Sequence, residues 1–366
     1  MDKLLDGVEV EWRALGKVTT INTGQKPSDV LDVATAYDYI NAGTSRSGYS
    51  AISNCEGDTV TTPSRGQGGI GYVGYQEQPF WLGPLCYKIK SLNENLLINK
   101  YLFYFLQSRT RLLLSLKKEG GVPAVNKSDL AKLEIPVPPL KIQAEIIRIL
   151  DAFTELTTEL TTELVARKQQ YAYYRKQLLT FNDGEVEWKT LDEVASFSNG
   201  KGHEKDISAD GRYIVVNSKF ISTDGNVAKY SDKQICPLFS NDILIVMSDL
   251  PNGKALAKTF FVEEDEKYTL NQRIGGITVK DDMTLLPKFL YYFLSRTSQL
   301  LKHDDGASQT NLRKGQILEV KIPIPPLAQQ KRIVAILDKF EALTTSLTEG
   351  LPREIALRQQ QYEYYR

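Results

Sequence analysis

The chain contains 366 residues with 45 basic and 45 acidic side chains, so its formal net charge at pH 7 is zero. Hydrophobic residues make up 42% and charged residues 25%, which excludes a disordered or fibrous chain and fits two or three globular domains. The longest apolar run, residues 243–247, is far shorter than the roughly 18 residues that span a bilayer, and the start lacks a secretory leader. We therefore expect a cytoplasmic protein with no membrane partner.

Residues suited to catalysis or metal binding are scarce. The three cysteines, Cys55, Cys86 and Cys236, form no C-x-x-C pair, and only two histidines are present. The sequence contains neither a phosphate-binding P-loop nor the Asn/Asp-Pro-Pro-Tyr box of adenine methyltransferases. We predict that the chain is not an enzyme, has no catalytic residue and no metal site, and binds no cofactor itself.

The most informative feature is a tandem repeat with a period of roughly 185 residues. IPVPPLKIQAEIIRILDAF at 135–153 aligns with IPIPPLAQQKRIVAILDKF at 322–340, with 11 of 19 positions identical. Two upstream anchors repeat as well, EVEW at 9–12 and 185–188, and KYLFYFL at 100–106 with KFLYYFL at 288–294. The blocks between the anchors diverge, which indicates a duplicated domain whose middle part varies.

Each repeated proline cluster predicts an extended segment followed by a helix. Apolar residues then recur at spacings of three, four and seven, and residues 140–181 would form one helix about 60 Å long. The second helix carries a four-residue insertion near Gly350-Leu-Pro352, where we predict a break or kink.

The two apolar stripes favour an intramolecular antiparallel coiled coil, and two helices packed each on its own domain is the alternative. The residues expected to pack the helices together are Ile146, Ile149, Phe153, Leu156, Leu160, Leu164, Ile333, Ile336, Phe340, Leu343 and Leu347.

The variable blocks combine short strand-like runs, for example 58–62, 213–216 and 242–246, with short helices at 100–116 and 288–302. The predicted class is α+β, with two α/β domains separated by two long antiparallel helices in a pseudo-two-fold tandem repeat. The predicted segments are domain 1 at 1–133, spacer helix 1 at 134–181, domain 2 at 182–320, and spacer helix 2, which is C-terminally short, at 321–366.

Two motifs have competing interpretations. GQGGIG at 66–71 matches G-x-G-x-x-G, but no helix is expected after it, so a turn that approaches phosphates and an ordinary hairpin remain open. Asp305 with Glu319 and Lys321 resembles a nuclease trio, yet the first repeat has Lys132 and Glu134 at the last two positions. An independent nuclease is therefore a minor alternative.

Polar and basic side chains in turns are the candidates for DNA contact, because Arg, Lys, Asn and Gln bind base edges or phosphates. Neither domain is strongly basic, which weakens the case for DNA contact. Residues 1–133 carry 15 basic and 13 acidic side chains (+2), and residues 182–320 carry 17 basic and 21 acidic side chains (−4). The candidates are Gly24, Lys26, Arg46, Ser64, Arg65, Gln67, Lys201, His203, Lys205, Asn217, Lys219, Asn252, Lys254, Gln272 and Arg273.

The pattern I-P-x-P-P-L-x-x-Q-x-x-I-x-x-I-L-D occurs at 135–151 with Gln143 and at 322–338 with Gln330. Two divergent domains that each precede this pattern resemble the specificity subunit of type I restriction-modification enzymes over essentially the whole chain. INTG at 21–24, FSNG at 197–200 and LNQR at 270–273 are similar to features of that family, although LGPL stands at 82–85 in the first block.

The resemblance implies a sequence-specific DNA-binding subunit with two target recognition domains and conserved spacer helices. Such a subunit reads a bipartite, asymmetric site in double-stranded DNA, with a gap set by the helices. The implied partners are two methyltransferase subunits, which carry S-adenosylmethionine, and restriction subunits, which use ATP and Mg²⁺. A coiled-coil scaffold that binds proteins through its duplicated domains is the competing hypothesis.

Overall fold

The computed structural model describes residues 7–34, 37–66, 68–118, 121–182, 184–203, 205–251, 253–346 and 349–366. The chain forms two compact units. Unit 1 comprises the residues up to Leu160 together with Ile355–Arg366, and unit 2 comprises Thr161–Glu354. The division falls inside the helices, so each unit contains a domain, part of the first spacer helix and part of the second.

Unit 1 contains a four-stranded antiparallel sheet of order β2-β8-β5-β6, a three-stranded sheet of order β4-β3-β7 in which β3 and β7 are parallel, and the ribbon β1-β9. Its strands are β1 (Glu11–Ala14), β2 (Thr19–Thr23), β3 (Tyr37–Ile40), β4 (Gly48–Ser50), β5 (Thr59–Pro63), β6 (Gly74–Gln76), β7 (Trp81–Leu82), β8 (Cys86–Ser91) and β9 (Glu134–Val137). Its short helices are α1 (Leu15–Val18), α2 (Asn99–Ser108), α3 (Thr110–Ser115) and α4 (Lys127–Ala131).

Unit 2 repeats this topology, with sheets of order β11-β18-β14-β16 and β13-β12-β17 and the ribbon β10-β20, and adds the pair β15-β19. Its strands are β10 (Glu187–Thr190), β11 (Ala195–Asn199), β12 (Tyr213–Val216), β13 (Tyr230–Ser231), β14 (Ile243–Val246), β15 (Ser248–Asp249), β16 (Thr259–Phe261), β17 (Tyr268–Leu270), β18 (Ile274–Val279), β19 (Thr310–Asn311) and β20 (Lys321–Ile324). Its short helices are α6 (Leu191–Val194), α7 (Ser218–Ser222), α8 (Pro287–Leu294), α9 (Ser298–Leu301) and α10 (Lys314–Leu318).

The long helices begin directly after the proline clusters. They are α5 (Leu140–Leu178), α11 (Leu327–Thr345) and α12 (Gly350–Tyr365). The predicted break in the second spacer helix is confirmed between α11 and α12. Gly350 has φ +78°, and a Cβ there would lie 2.3 Å from the carbonyl oxygen of Ala342, so this junction favours glycine. The predicted α+β class with a tandem repeat and long spacer helices is confirmed.

The ribbons β1-β9 and β10-β20 bring the two ends of each domain together. Ala14 pairs with Glu134 in unit 1, and Thr190 pairs with Lys321 in unit 2. The prolines of the repeated motif lie in these ribbons, where Pro136 faces Trp12 and Pro323 faces Trp188. A proline is tolerated in a two-stranded ribbon because its missing N–H faces away from the partner strand. The first and last strands of each domain therefore connect to the spacer region side by side.

A buried glutamine joins the first turn of each spacer helix to its domain. Gln143 is fully buried, accepts a hydrogen bond from the N–H of Ile98 at 2.9 Å, and donates to the carbonyl oxygens of Leu96 and Pro138, both at 2.8 Å. Buried polar groups need partners, and these three bonds satisfy both ends of the amide.

Unit 2 repeats this arrangement with Gln330. Its side chain accepts from the N–H of Leu286 at 2.8 Å and donates to the carbonyl oxygens of Thr284 at 2.9 Å and Pro325 at 2.8 Å. The glutamine at this position of the repeated motif therefore has the same structural role in both units.

A lysine, a tyrosine and an aspartate form a second repeated joint. In unit 1 the Tyr104 hydroxyl donates to Asp151 at 2.5 Å, and Lys100 pairs with the same carboxylate at 2.9 Å. Burial, followed by the hydrogen bond to Asp151, raises the pKa of Tyr104, so the hydroxyl keeps its proton as a donor. The KxxxY spacing of the upstream anchor thus places both groups on the helix face that meets α5.

In unit 2 the counterparts are Lys288, Tyr292 and Asp338. Tyr292 donates to Asp338 at 2.6 Å and to Glu341 at 2.7 Å, and Lys288 pairs with Asp338 at 3.3 Å. Burial, then the charge of Glu341, raises the pKa of Tyr292 well above its usual value. The Tyr292 hydroxyl therefore keeps its proton at neutral pH and remains a hydrogen-bond donor.

The apolar stripes have two parts. Ile146 and Ile333 are buried in the cores of their own units, because the glutamine joint holds the first turns against the domains. This part follows the alternative in which each helix packs on its domain, although Tyr362 and Tyr171 of the other spacer helix also pack against these two cores. Farther along, Ile149, Leu156, Leu160, Leu164, Ile336 and Leu343 are half-buried, and Leu347 lies outside the described residues.

Packing between the two spacer helices occurs inside each unit. In unit 1, the ring of Phe153 stacks on Tyr365 with centroids 5.5 Å apart. In unit 2, Phe340 contacts Tyr171 at 6.1 Å and Tyr174 at 5.8 Å. Aromatic pairs at these separations add to the hydrophobic contribution of the stripe.

None of the helices in the described part of the chain is both long and apolar enough to cross a membrane.

We predict that Gln330→Met destabilises the protein by about 2 to 4 kcal/mol, because methionine has a similar size but leaves one buried N–H and two buried carbonyls without their partner. Equilibrium urea unfolding measures this loss. Gln329→Met is the matched control, since Gln329 is the neighbouring exposed residue of the same helix. Equal unfolding midpoints for the two variants would contradict the claim that the hydrogen bonds of Gln330 stabilise the protein.

Candidate nucleic-acid interface

The predicted glycines of the INTG and FSNG segments occupy equivalent places in the two units. A Cβ on Gly24 would lie 1.8 Å from the carbonyl oxygen of Leu82, and a Cβ on Gly200 would lie 1.9 Å from that of Asn271. No side chain fits so close to a backbone carbonyl. LGPL and LNQR therefore lie against the same glycine-bearing segment in their respective units, although their sequences differ.

Backbone contacts bring the candidate loops of unit 1 together. Gln25 N–H donates to the Leu82 carbonyl at 3.0 Å, and Ser64 N–H donates to the Leu85 carbonyl at 2.9 Å. The Arg46 loop joins them, because Gly69 packs so closely on Gly43 that a Cβ on Gly69 would lie 2.6 Å from the Gly43 nitrogen. The loops that carry Lys26, Arg46 and Arg65 therefore converge on the end of the unit where the parallel strands β3 and β7 stop.

The loops of unit 2 converge in the same way. Lys201 and Asn271 form a parallel bridge, and Gln272 N–H donates to the Lys201 carbonyl at 3.1 Å. Asn271 N–H donates to the carbonyl of Val216, directly before Asn217, and Met247 N–H donates to the Arg273 carbonyl. Lys201, Asn217, Gln272 and Arg273 are thereby held at one end of the unit.

Most candidate cations are available for a partner. Arg46 is the exception, since it pairs with Asp38 at 3.3 Å and lies over the ring of Tyr49 at 4.5 Å. The other basic candidates are exposed and form no ion pair with a carboxylate among the described residues, namely Lys26, Arg65, Lys201, Lys205, Lys219, Lys254 and Arg273. These positive side chains are suited to phosphate or base contacts.

Two candidates are buried and are corrected on that ground. His203 is 1% exposed, with Nδ1 2.8 Å from the Lys201 carbonyl oxygen and Nε2 2.9 Å from the Thr269 hydroxyl. Both ring nitrogens are thus used to hold the loop that presents Lys201. Ser64 is 5% exposed, and its backbone connects Leu85 to Val125. Both residues position their neighbours and do not face solvent.

Asn217 lies in the converging loops, but its side chain also caps a helix. Its side-chain oxygen accepts from Phe220 N–H at 2.9 Å and caps α7, as asparagine commonly does at a helix start. Gln67 and Asn252 lie outside the described residues.

Asn41, the unit 1 counterpart of Asn217, is a further candidate that the sequence patterns did not single out. It follows β3, and its side-chain oxygen accepts from Leu85 N–H at 3.0 Å, so it orders the LGPL loop. The offset of 176 residues between the EVEW copies also relates Asn41 to Asn217, and that was the available signal.

Arg273 has φ +68°, a conformation that is uncommon for arginine. Such strain persists where the surrounding structure fixes it, and it is concentrated at functional sites. Here the close approach of Gly200 and the bond from Met247 to the Arg273 carbonyl fix the loop. The fixed backbone therefore determines the direction in which the exposed side chain of Arg273 leaves the loop.

The nuclease trio is not assembled as a metal site. The Asp305 carboxylate accepts from the N–H groups of Ala307 and Ser308 and from the Ser308 hydroxyl, which lowers its pKa. In the described part of the chain, no group of three or more His, Cys, Asp or Glu side chains could hold a metal ion. The G-x-G-x-x-G segment leads into a turn and then β6, which does not fit dinucleotide binding.

Comparison with known proteins identifies one family. Residues 7–167 and 184–357 match the family described as Type I restriction modification DNA specificity domain. The specificity subunit of the Escherichia coli type I restriction enzyme EcoR124I/EcoR124II is 35% identical over an alignment covering 100% of this chain and 95% of the relative. A Haemophilus influenzae protein named as a type I specificity subunit is 31% identical, with coverage of 100% and 96%.

Solved structures show the same fold. The crystal structure of a type I restriction-modification S subunit from M. genitalium matches with a TM-score of 0.67 at 18% identity, covering 98% of this chain and 96% of that one. A structure from work on assembly and conformational transition of the type I R-M system matches with a TM-score of 0.58 at 17% identity, covering 97% and 96%.

We predict that Gly200→Ala lowers DNA affinity by about tenfold or more, because the added methyl group must displace the Asn271 backbone and with it the Lys201 and Arg273 loops. DNA titrations of the protein co-purified with a type I methyltransferase subunit measure this. Gly315→Ala is the control, since a Cβ at Gly315 meets no atom within 4 Å. Equal DNA affinity of the two variants would show that the close approach of Gly200 to Asn271 does not position the DNA-binding loops.

We also predict that Arg273→Ala weakens DNA binding about tenfold, with either a salt slope reduced by about one or a relaxed base preference, depending on whether phosphate or base is contacted. Lys233→Ala is the charge-matched control, because Lys233 already pairs with Asp206 at 2.6 Å. Affinity that falls equally in both variants would indicate a general charge effect instead of a local contact.

Proposed function

Because the chain belongs to the family of type I restriction-modification DNA specificity domains, we propose that it reads a bipartite, asymmetric site in double-stranded DNA with one half-site for each unit. Recognition of DNA sequence is the shared role of the family. The assignment of one half-site to each unit rests on the repeated convergence of loops at Gly24 and Gly200. The domain scaffold is the same in both units, whereas the loop sequences at this end differ, so different bases would be read.

The electrostatics of the loops support this role. Although residues 182–320 carry a net charge of −4, Lys201, Lys254 and Arg273 are exposed in the converging loops or next to them. Local positive charge attracts the phosphate backbone even when the whole domain is acidic. Amide side chains such as Gln272 can pair with adenine, and arginine can pair with guanine.

The spacer helices are proposed to set the gap between the half-sites. Two readers on one face of B-DNA lie about one helical turn, or roughly 34 to 36 Å, apart, and a helix of fixed length can maintain such a spacing. Helix α5 has 39 residues and is uninterrupted. Both ends of each domain are tied to this region by the proline ribbons, the glutamine joints and the Lys-Tyr-Asp joints.

We further propose that two methyltransferase subunits and restriction subunits assemble on this chain, with the spacer helices and their flanks as docking surface. In this proposal the methyltransferase subunits hold S-adenosylmethionine and the restriction subunits use ATP and Mg²⁺. The chain described here contributes sequence recognition and no catalytic group, and the complex is expected to work in the cytoplasm in defence of the host.

Selection from a random duplex library by the protein co-purified with a type I methyltransferase subunit tests the proposed function. We expect enrichment of two short, unlike half-sites at a fixed gap. A complex that forms but enriches no sequence would favour a protein-binding scaffold instead.

We predict that one more Thr-Thr-Glu-Leu unit after Leu164 lengthens the preferred gap and leaves both half-sites unchanged. Four added helical residues extend α5 by about 6 Å, close to two base steps. The same selection measures the gap. Replacing Thr161 and Thr162 by alanine is the control that leaves the helix length unchanged. An unchanged gap after the insertion would contradict the proposal that the spacer helices set the gap.

A further inference from the structure

Leu250 is an exposed apolar residue at the start of the loop that joins β15 to β16 in unit 2. Its side chain is 69% exposed, and the next residue, Pro251, is exposed as well. A single exposed leucine is common on protein surfaces and indicates nothing by itself. Its meaning depends on how its loop is held and on the groups that surround it.

One carboxylate holds the loop of Leu250 in place. An oxygen of Asp249 accepts hydrogen bonds from the N–H groups of Ala255 and Leu256 at 2.7 and 3.1 Å. The other oxygen accepts from the N–H of Leu250 at 2.9 Å. A Cβ on Gly253 would lie 2.1 Å from this carboxylate, so only glycine lets the loop close on it. Because hydrogen bonds to a charged acceptor are strong, the loop presents Leu250 on a fixed support.

Leu250 also lies close to the loops that carry the candidate DNA contacts. The N–H of Met247 donates to the Arg273 carbonyl at 3.0 Å. The three residues from Met247 to Leu250 span at most about 11 Å. Lys254, in the same loop as Leu250, and Arg273 are both exposed and pair with no carboxylate among the described residues. An apolar side chain is thus placed beside cations that can hold phosphates.

The backbone after β5 in unit 1 matches the backbone after β14 in unit 2. The two strands hold the same place in their sheets, third in the orders β2-β8-β5-β6 and β11-β18-β14-β16. Ser64, the residue after β5, donates its N–H to the Leu85 carbonyl at the end of LGPL. Met247, the residue after β14, makes the same bond to Arg273 at the end of LNQR. Ser64 and Met247 are therefore equivalent positions.

The side chain that follows this shared backbone differs between the units. At the offset of 183 residues that relates Ser64 to Met247, Leu250 corresponds to Gln67 and Pro251 to Gly68. A glutamine amide can pair with the edge of an adenine, whereas leucine forms no hydrogen bond with a base. The same position thus carries a side chain suited to base-edge contact in unit 1 and an apolar side chain in unit 2.

We propose that Leu250 inserts between stacked base pairs of the half-site read by unit 2 and unstacks one base step. This inference rests on the proposed reading of one half-site by each unit. Apolar side chains such as leucine separate base steps in this way and bend the duplex, while neighbouring cations hold the phosphates. Pyrimidine–purine steps unstack most easily, so unit 2 prefers such a step at the insertion point. Unit 1, with Gln67 at the equivalent position, leaves its half-site stacked there.

The fluorescence of 2-aminopurine, which rises when this base is unstacked, tests the insertion. The probe replaces each base of the two half-sites in turn, in the duplex enriched by the protein co-purified with a type I methyltransferase subunit. We expect a rise of about threefold at one step of the unit 2 half-site, which Leu250→Ala abolishes and Leu250→Phe retains as another apolar insert. Met283→Ala is the matched control, because Met283 is an apolar residue of the same unit that is 74% exposed.

Base preference gives a second readout. In competition binding, we expect Leu250→Ala to reduce the preference for a pyrimidine–purine step at the insertion point about tenfold, with the remaining positions of both half-sites unchanged. Methyltransferases also extrude their target base, but that signal does not depend on Leu250 and persists in every variant. Equal fluorescence of Leu250→Ala and the unchanged protein throughout the unit 2 half-site would overturn the insertion and leave the proposed function intact. A selection that enriches no sequence would overturn both.

Discussion

A buried glutamine with no access to water must find hydrogen-bond partners inside the protein, and this constraint fixes each spacer helix to its domain. Gln143 and Gln330 each bind one N–H and one carbonyl oxygen from the domain, and a second carbonyl from the proline segment. Their partners are all backbone atoms, so the joint does not depend on which side chains the domain carries. A variable domain can therefore be attached to a constant helix through the same three bonds.

The other joints follow from this attachment. Once the first turn of α5 is held, Ile146 is buried in the domain core and Asp151 meets Tyr104 and Lys100. The strand ribbons bring both ends of the domain to the same place, so the loops at Gly24 and Gly200 are presented by a scaffold anchored at its base. Side chains in those loops can change without disturbing the anchor, which would suit the proposed reading of a different half-site by each unit.

The sequence predicted the repeat, the α+β class, the helix break and several strands, because these depend on local periodicity and on prolines. Strand β12 (Tyr213–Val216), for example, matches its predicted run. Individual site residues were harder to predict. Lysine, histidine and serine in a glycine-rich turn look alike in sequence, but His203 is buried by Thr269, a contact 66 residues away. The split roles of the apolar stripe likewise depend on tertiary contacts that periodicity cannot distinguish.

The most direct measurement is DNA selection by a chain in which Leu15–Leu133 is replaced by a second copy of Leu191–Val320, since Ala14 with Glu134 and Thr190 with Lys321 are equivalent paired ends. We expect the complex to enrich the unit 2 half-site twice and to lose the original unit 1 half-site. Retention of the original asymmetric site would contradict the claim that each unit reads its own half.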